Sequence, residues 1–548
     1  MVSTHSLNLA RVLPQWCYTE QDLLLRQLKP VDTGYHQNRR CMEGTRQSIL
    51  EQINIWVTNL EEGTNESQVN TYWFYGSPGI GKTSLAHSIC EQLHDHKHLA
   101  GAFFCQKDVP NLSEPRHILP TLMYKLARMF PPFRRILADR LLNDPNLTPD
   151  SMRDSLFLDF ILSLPRSPER TLVFVIDALD ECGDVRSRSG PLKVLTDAAA
   201  HAPWLKVIIT SRPEVDILRF FDDPSRPLHL RYDLATDMEA THDLRAFARS
   251  EFDLVATKWH LSALWPEDSD FDKIVSRANG LFIFIKTLVL ALDSCKDPKK
   301  SLKATLQGSS GPGLESLYEL YSSILTTRIG GSDADFQRMI GVVLTTAPYR
   351  ALREETVAEL AGTEPHLVQK WVDDLSSLLY RDEGANGEIR VRHLSISDFF
   401  LSGGCDCDYR VKLEDANMQL GITCLNTMVD QLRFNICKLE DSRLANADIE
   451  DLPSRIKENI PDSLQYSALY WSNHVCFTPN NGDQLVLGSL KGFFEGLYPL
   501  FWIEVLSIMG KVPIGAPSIR RVITWVNVRT TPISVCLDSK MTQIAVGC

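Results

Sequence analysis

The sequence has no uninterrupted apolar run long enough to cross a bilayer. Its longest candidate, Leu281–Leu292, is broken by Lys286 and is shorter than the roughly 20 residues that a transmembrane helix needs. The amino-terminal residues also lack the charged and then apolar pattern of a secretory signal. We therefore predict an intracellular, soluble protein of the cytoplasm with no membrane partner.

Two further features are missing, a disulfide framework and an excess of positive charge. The thirteen cysteines are odd in number and scattered, which favours reduced thiols over the paired cysteines of a secreted domain. The formal net charge is −12, so nucleic acid is an unlikely partner. The 548 residues are too many for one ordinary core and indicate about three or four domains.

The sequence does contain a glycine-rich loop between an aromatic strand and a helix. The strand is predicted at residues 72–75, and the loop and the start of the helix comprise Gly76, Ser77, Pro78, Gly79, Ile80, Gly81, Lys82, Thr83 and Ser84. The pattern Gly-x-x-x-x-Gly-Lys-Thr in this setting predicts a nucleotide-binding phosphate loop. Backbone N–H groups would surround the phosphates, Lys82 would reach the β- and γ-phosphates, and the Thr83 hydroxyl would bind Mg²⁺.

A second predicted strand ends in carboxylates. The run from Leu172 is hydrophobic until Asp177, which we expect to hold Mg²⁺ mostly through water. Asp180 and Glu181 follow, and either could orient or deprotonate an attacking water. The alternative is that these two acids face solvent at the start of a helix.

The next predicted strand, Leu205–Thr210, is followed by Ser211, Arg212 and Pro213. An arginine at this position can sense the γ-phosphate and stabilise charge in the transition state. The alternative is a surface arginine that pairs with Asp216. No Asn-Lys-x-Asp guanine reader occurs in the sequence, which favours adenine over guanine by default.

Buried strands alternate with helices from the aromatic strand to Arg212, which predicts an α/β P-loop NTPase fold with a parallel sheet covered by helices on both faces. After about Tyr232 the sequence indicates helices, with a polar linker at Cys295–Leu302 and Gly308–Gly313. Three helices and a hairpin of residues 378–381 and 388–392 then predict a winged helix, and the rest reads as mostly helical.

These motifs resemble the NACHT class of STAND signalling NTPases, and most closely the fungal proteins with a nephrocystin-3-like NTPase module. The small residue Ala178 after the metal aspartate and the further acid Asp180 are typical of that class. The likeness covers roughly residues 20–475, and the stretches that carry it are 76–83, 175–182 and 209–213, with weaker ones at 41–46, 280–284 and 391–400.

The resemblance implies a domain order and one further ligand. The implied domains are an N-terminal lead-in (1–44), a NACHT P-loop NTPase domain (45–231), a helical lid (232–307), a winged-helix domain (308–402), a helical region (403–531) and the start of a truncated WD40-like repeat (532–548). It also implies that His393 touches the β-phosphate of ADP, although a histidine satisfied within the wing is the alternative. The proline that relatives place after the lid glycine is absent at Leu281 and Phe282, so adenine contacts there are not carried over.

The resemblance implies a signalling switch that ADP holds closed and ATP opens, with slow hydrolysis and self-association on activation. Two other functions stay open at this point. One is a steady-turnover ATPase or small-molecule phosphotransferase. The other is an ATP-regulated winged-helix nucleic-acid binder, although residues 365–379 offer few cations to phosphates.

Overall fold

The structure is a computed structural model that describes residues 21–58, 69–144, 154–164, 168–308, 311–331, 333–382, 387–401, 409–441, 444–479 and 483–529. The repeat start predicted at 532–548 lies outside the described residues. The chain divides into two compact units, Met1–Leu320 and Tyr321–Cys548, and each is described by itself. In the part of the chain that is described, no helix combines the length and the apolar character that crossing a membrane requires.

The first unit contains a parallel sheet of five strands in the order β2-β3-β4-β1-β5. The strands are β1 (Thr71–Tyr75), β2 (Leu99–Phe104), β3 (Leu172–Asp177), β4 (Leu205–Ser211) and β5 (Leu230–Asp233). Strand β4 therefore separates β1, which leads into the glycine loop, from β3, which ends in Asp177. Because β1, β3 and β4 are parallel, their carboxyl ends lie side by side at one end of the sheet.

Alternate side chains of each strand enter two different cores, because successive residues of a strand point to opposite faces. Trp73, Phe174 and Ile176 belong to one buried cluster, and Phe74 and Val175 belong to the other. The helices of this unit are Gln47–Thr58, Lys82–Asp95, Ile118–Met129, Pro131–Asn143, Asp154–Leu162, Ser189–His201, Val215–Asp222, Ala240–Lys258, Asp268–Ala278, Phe282–Asp293, Pro298–Leu306 and the start of Leu314–Arg328. The predicted α/β P-loop fold is confirmed.

Residues before Gly44 also pack on this unit. Leu25 and Leu28 are fully buried in the cluster that contains Trp73. The Thr33 hydroxyl donates to the carbonyl of Ala102 in β2 at 2.7 Å, and the Cys41 N–H donates to the hydroxyl of Ser88 at 2.9 Å. This segment therefore contributes to the core rather than only leading into it.

One local prediction in this unit is wrong, and one strand was not predicted. Strand β5 was not expected, because it is short and its Leu230 is partly exposed at the edge of the sheet, so it lacks the apolar run of a central strand. Residues 298–306 form a helix in place of the predicted linker at Cys295–Leu302. Asp297 caps that helix by accepting the Lys300 N–H at 3.0 Å, and Pro298 occupies its first turn, where no N–H partner is needed.

The described part of the second unit consists of helices and one antiparallel hairpin. The antiparallel strands are β6 (Leu379–Asp382) and β7 (Glu388–Val391). The helices are Ala334–Thr346, Glu354–Ala361, Pro365–Asp374, Leu394–Leu401, Leu413–Gln431, Leu452–Asn459, Asp462–Cys476, Asp483–Glu495, Tyr498–Ile508 and Gly515–Arg529. A buried polar chain joins two of them, because His474 bonds to Asn417 and to Tyr466 at 2.8 Å each.

Candidate functional site

The glycine loop turns directly from β1 into the helix Lys82–Asp95. Gly79 and Gly81 have φ values of +80° and +97°, in the region that favours glycine. Gly81 is the residue that precedes the helix, so the first N–H groups of the helix lie at the loop. Such N–H groups lack partners within the helix and carry its positive dipole end, which makes this a site for an anion.

Lys82 is buried within this loop. Its ammonium donates to the carbonyls of Gly76 at 2.8 Å and Ser77 at 3.0 Å. Burial, with a smaller contribution from Arg212, lowers the pKa of Lys82 to about 8, and Asp180 is the strongest of the acids that oppose the shift. The lysine is therefore mostly charged at pH 7 and bonded only to neutral carbonyls within the loop.

Asp177 ends β3 with its carboxylate buried and bonded to two hydroxyls. Thr210 on β4 donates to it at 2.5 Å, and Thr83 also donates to it. Burial raises the pKa of Asp177 to about 6, against the lowering effect of these bonds and of Lys82. The structure thus brings together two predicted site residues, Thr83 after β1 and Asp177 at the end of β3.

The Thr83 hydroxyl and the Asp177 carboxylate fit a magnesium site. Mg²⁺ usually takes one or two protein oxygens and completes its shell with water and phosphate oxygens. Among the residues described, no group of three or more His, Cys, Asp or Glu side chains is arranged to hold a metal. A cation at Thr83 and Asp177 would therefore depend on a nucleotide for part of its shell.

The acids after Asp177 do not face solvent as the alternative reading supposed. Ala178 has a φ of +53° and starts a short turn, Leu179–Glu181, in which the Asp180 side chain is buried. Its carboxylate accepts the N–H of Arg212 at 2.9 Å and lies 3.3 Å from the Nε of the same residue. The buried Asp180 and the partly buried Arg212 therefore form a pair between the ends of β3 and β4.

The expected alternative partner of Arg212, Asp216, is engaged elsewhere. Asp216 accepts two bonds from the guanidinium of Arg188, both at 2.7 Å. Arg188 also donates to the carbonyl of Asp180 at 2.9 Å. The surface pairing of Arg212 with Asp216 is therefore wrong, and two separate pairs hold this edge of the sheet.

Glu181 is half-buried and accepts the N–H of Lys107 at 3.4 Å. Loss of solvent and the neighbouring Asp180 and Asp177 raise the pKa of Glu181 to about 8. Its carboxyl is therefore largely protonated at pH 7. A cation placed nearby would be needed before Glu181 could accept a proton from water.

Two residues that are absent from the predicted site contact the glycine loop. Ile283 belongs to the helical segment after the sheet, and Arg46 precedes the first strand. The N–H of Ile283 donates to the Gly79 carbonyl at 3.2 Å, and Arg46 donates to the Ile80 carbonyl at 3.1 Å. The sequence offered a signal for these positions only as family-like stretches at 41–46 and 280–284. Ile283 lies in an apolar run and Arg46 in a polar stretch, and neither pattern indicates a contact with the loop.

His393 lies in the second unit, just before the helix Leu394–Leu401. Its Nδ1 accepts the N–H of Ser395 at 3.1 Å and lies 2.7 Å from the hydroxyl of the same serine. A neutral ring that accepts at Nδ1 carries its proton on Nε2, which can then donate a hydrogen bond.

We predict that Asp177→Asn stabilises the nucleotide-free protein at pH 7. The pKa of this carboxyl is raised from 3.8 to about 6, so its contribution to stability is fully present below pH 3.8 and is lost as the pH rises through 6. Asparagine has no charge to bury, so the free energy of unfolding at pH 7 should rise by up to about 3 kcal/mol. Urea unfolding between pH 4 and 8 measures this. Parallel curves for the variant and the wild type would contradict it, and Asp253→Asn, an exposed carboxylate, is the control.

Comparison with known proteins supports the nature of the first unit. The family model described as nephrocystin 3, N-terminal, matches residues 44–212, which include the loop, the Asp177 strand and Arg212. No curated protein matches the chain. The chain therefore contains a P-loop NTPase module that is similar to the nephrocystin 3 N-terminal family over this range.

Several solved structures are similar at low identity. A Walker-type ATPase of Pyrococcus abyssi is 14% identical, with 68% of this chain and 99% of that chain covered and a TM-score of 0.32. The ORC2 protein of Aeropyrum pernix is 12% identical, with 72% and 98% covered and a TM-score of 0.28. The RuvB Holliday junction branch migration motor of Thermotoga maritima is 12% identical, with 65% and 95% covered and a TM-score of 0.24. Likeness at this level carries no functional assignment.

Proposed function

We propose that this chain is an ATP- and ADP-binding switch of the NACHT/STAND class, with slow hydrolysis of ATP to ADP. The observation that supports it best is the grouping at one sheet edge of a buried lysine in a glycine loop, a buried aspartate bonded to Thr83, and the pair of Asp180 with Arg212. The loop supplies the anion site, and Asp177 with Thr83 supplies the cation site.

The proposed chemistry assigns a task to each residue. The backbone of residues 76–84 surrounds the phosphates and Lys82 binds the β- and γ-phosphates. Thr83 and Asp177 hold Mg²⁺, which neutralises phosphate charge when it is bound. Arg212 stabilises charge on the γ-phosphate, and Glu181 or Asp180 positions the attacking water.

Two features of the site favour slow hydrolysis over steady turnover. Arg212 is already paired with the buried Asp180, so that pair has to loosen before Arg212 can bind the γ-phosphate. Without a nearby cation the pKa of Glu181 is about 8, so at pH 7 its carboxyl group is mostly protonated and becomes an effective base only after the site has taken up a cation. A site arranged in this way binds nucleotide before it is ready to cleave it.

The proposed switch uses the domains that the resemblance implies. ADP bridges the NTPase domain, the lid (232–307) and the winged-helix domain (308–402), with His393 on the β-phosphate. Exchange for ATP breaks the His393 contact, lets the domains separate and exposes a surface for self-association. The two states must differ in their affinity for ADP and ATP, because a ligand that binds both equally shifts nothing.

Nucleotide content and turnover test the proposal together. Full-length protein is purified, denatured, and the released nucleotide is identified; turnover of added ATP is then measured with Mg²⁺. If the protein is a switch, denaturation should release ADP. Its hydrolysis of added ATP should slow after the first turnover because the folded protein retains the ADP product. Protein that emerges without nucleotide and turns over ATP rapidly would instead support the steady-turnover ATPase or phosphotransferase.

We predict that His393→Ala speeds the release of ADP by about 10-fold or more and changes ATP affinity little, because the lost bond reaches a phosphate only in the ADP state. Release of a fluorescent ADP analogue and equilibrium binding of both nucleotides measure this. His366→Ala, on the exposed side of the helix Pro365–Asp374, is the matched control. Equal losses for ADP and ATP would remove His393 from the mechanism.

A further inference from the structure

Arg46 is a buried cation whose backbone conformation is unfavourable for a residue with a side chain. Its φ is +57°, a conformation that side-chain-bearing residues adopt rarely, and its side chain is only 3% exposed. Burying a guanidinium is costly unless each of its donors has a partner. The partners of Arg46 therefore indicate why a buried arginine occupies this position.

The Arg46 side chain has three partners on different elements. It forms an ion pair with Asp237, whose side chain is also buried, and it donates to the carbonyl of Ile80 at 3.1 Å. Its guanidinium carbon lies 5.6 Å from the centre of the Phe282 ring, within the range of a cation–π contact. The backbone N–H of Arg46 in addition donates to the carboxylate of Asp243 at 2.9 Å.

These partners belong to the phosphate loop and to two helices that follow the sheet. Ile80 lies in the loop, Asp243 lies in the helix Ala240–Lys258, and Phe282 starts the helix Phe282–Asp293. The two helices also hold each other, since the rings of Phe247 and Phe282 are 5.3 Å apart. Arg46 thus contacts the loop and the helix Phe282–Asp293 through its side chain, and the helix Ala240–Lys258 through its backbone N–H.

Asp237 is itself fixed to the edge of the sheet. It accepts a hydrogen bond from Tyr232 on β5, and loss of solvent together with this carboxylate raises the pKa of Tyr232 to about 12. Asp237 also accepts the N–H of Glu239 at 3.2 Å, just before the helix Ala240–Lys258. The Asp237 carboxylate, which pairs with Arg46, therefore lies between the last strand of the sheet and the helix Ala240–Lys258.

We propose that Arg46 is a positioning residue that couples the phosphate loop to the helices Ala240–Lys258 and Phe282–Asp293. It acts through the Ile80 carbonyl on one side and through Asp237 and Phe282 on the other. Movement of the loop and movement of the helices are then one event, because either one breaks a bond to a buried cation. The inference uses the proposed function only in taking the occupant of the loop to be a nucleotide.

The task requires a guanidinium rather than an ammonium. The planar fork donates from separate nitrogens to the carbonyl of Ile80 and the carboxylate of Asp237, and its face lies over Phe282. Lysine keeps the charge but has no such fork. Arg46→Lys therefore separates the geometry of the coupling from its charge.

Amide hydrogen exchange of the full chain without nucleotide tests the coupling directly. Arg46→Lys should raise exchange by about tenfold or more in residues 76–84 and 282–293 together. Asp237→Asn should do the same, and the pair Arg46→Gln with Asp237→Asn should do less harm than either single change, because no unpaired buried charge remains. Arg40→Ala, which removes an exposed pair with Glu91, should leave both segments unchanged.

The outcomes separate this proposal from the proposed function. If exchange rises only around residues 44–48, or in one segment without the other, Arg46 is a local structural residue and the coupling is overturned. If Arg46→Lys does not fold, Asp237→Asn and the neutral double variant decide by the same measurement. Binding of ADP with Mg²⁺ is measured in parallel, and wild-type protein that takes up no ADP overturns the nucleotide switch while the exchange result still decides the coupling.

Discussion

Lys82→Ala should lower the affinity for ATP and ADP by about 100-fold or more, so that no nucleotide survives purification. In the nucleotide-free loop the ammonium of Lys82 is bonded to the carbonyls of Gly76 and Ser77. Phosphate oxygens would replace these neutral acceptors with charged ones in a site with little water, where a charged hydrogen bond is strongest. Denaturation of the purified variant and analysis of the released nucleotide, with titration calorimetry, measure the loss.

The control for Lys82→Ala is Lys193→Ala, which removes an exposed lysine that pairs with Asp197. Thermal unfolding of both variants shows whether the fold survives, because Lys82→Ala leaves two carbonyls of the loop without their donor. Lys82→Met keeps more of the side-chain volume and should lose nucleotide equally. Retention of ADP by a folded Lys82→Ala protein would refute the assignment of the loop.

Gly79→Ala should lower the free energy of unfolding of the first unit by about 2–4 kcal/mol. A Cβ atom at Gly79 would lie 2.1 Å from a side-chain carbon of Ile283, a distance that two carbon atoms cannot share. The φ of +80° adds backbone strain. The helix Phe282–Asp293 should therefore move off the loop, which urea unfolding and hydrogen exchange of residues 282–293 would detect.

Gly280→Ala separates the clash from the strain. Gly280 has a φ of +84°, and a Cβ there would meet no atom within 4 Å, so this variant should lose only the backbone part, about 1–2 kcal/mol. Adding Ile283→Ala to Gly79→Ala makes room for the new methyl group and should restore part of the loss. Equal losses for Gly79→Ala and Gly280→Ala would show that the contact with Ile283 contributes nothing.

The parts of the fold that the sequence predicts well are those with a strong local pattern. The apolar strand that ends in Asp177, the glycine loop and the hairpin of β6 and β7 carry their signal in consecutive residues, and their bounds agree with the structure to within a residue or two. Strand β5 and the helix Pro298–Leu306 were missed because their residues are polar or exposed. Strand β5 is fixed by its pairing with β1, and the helix has a side-chain cap at Asp297 and buries two of its nine residues, Pro298 and Leu302.

In the candidate site, too, residues within local motifs were predicted and contacts between distant residues were not. Lys82 and Asp177 lie in motifs whose spacing indicates a role, and the structure brings their strand ends together. The pairing of Asp180 with Arg212 depends on which strands are neighbours, which no local pattern records. Arg46 and Asp237 are 191 residues apart in sequence, and nothing near either one indicates the other.

Where the module is cut from the chain matters for any fragment or chimera. The family model starts at Gly44, yet the apolar side chains of Leu25 and Leu28 fill the core that contains Trp73. A fragment that starts at Gly44 would expose that part of the core to water and would remove one of the two side-chain donors, Thr33 and Lys125, from the carbonyl of Ala102. A transplantable version of this NTPase therefore has to include the segment that contains Leu25 and Leu28, because a graft made at Gly44 would lack part of its hydrophobic core.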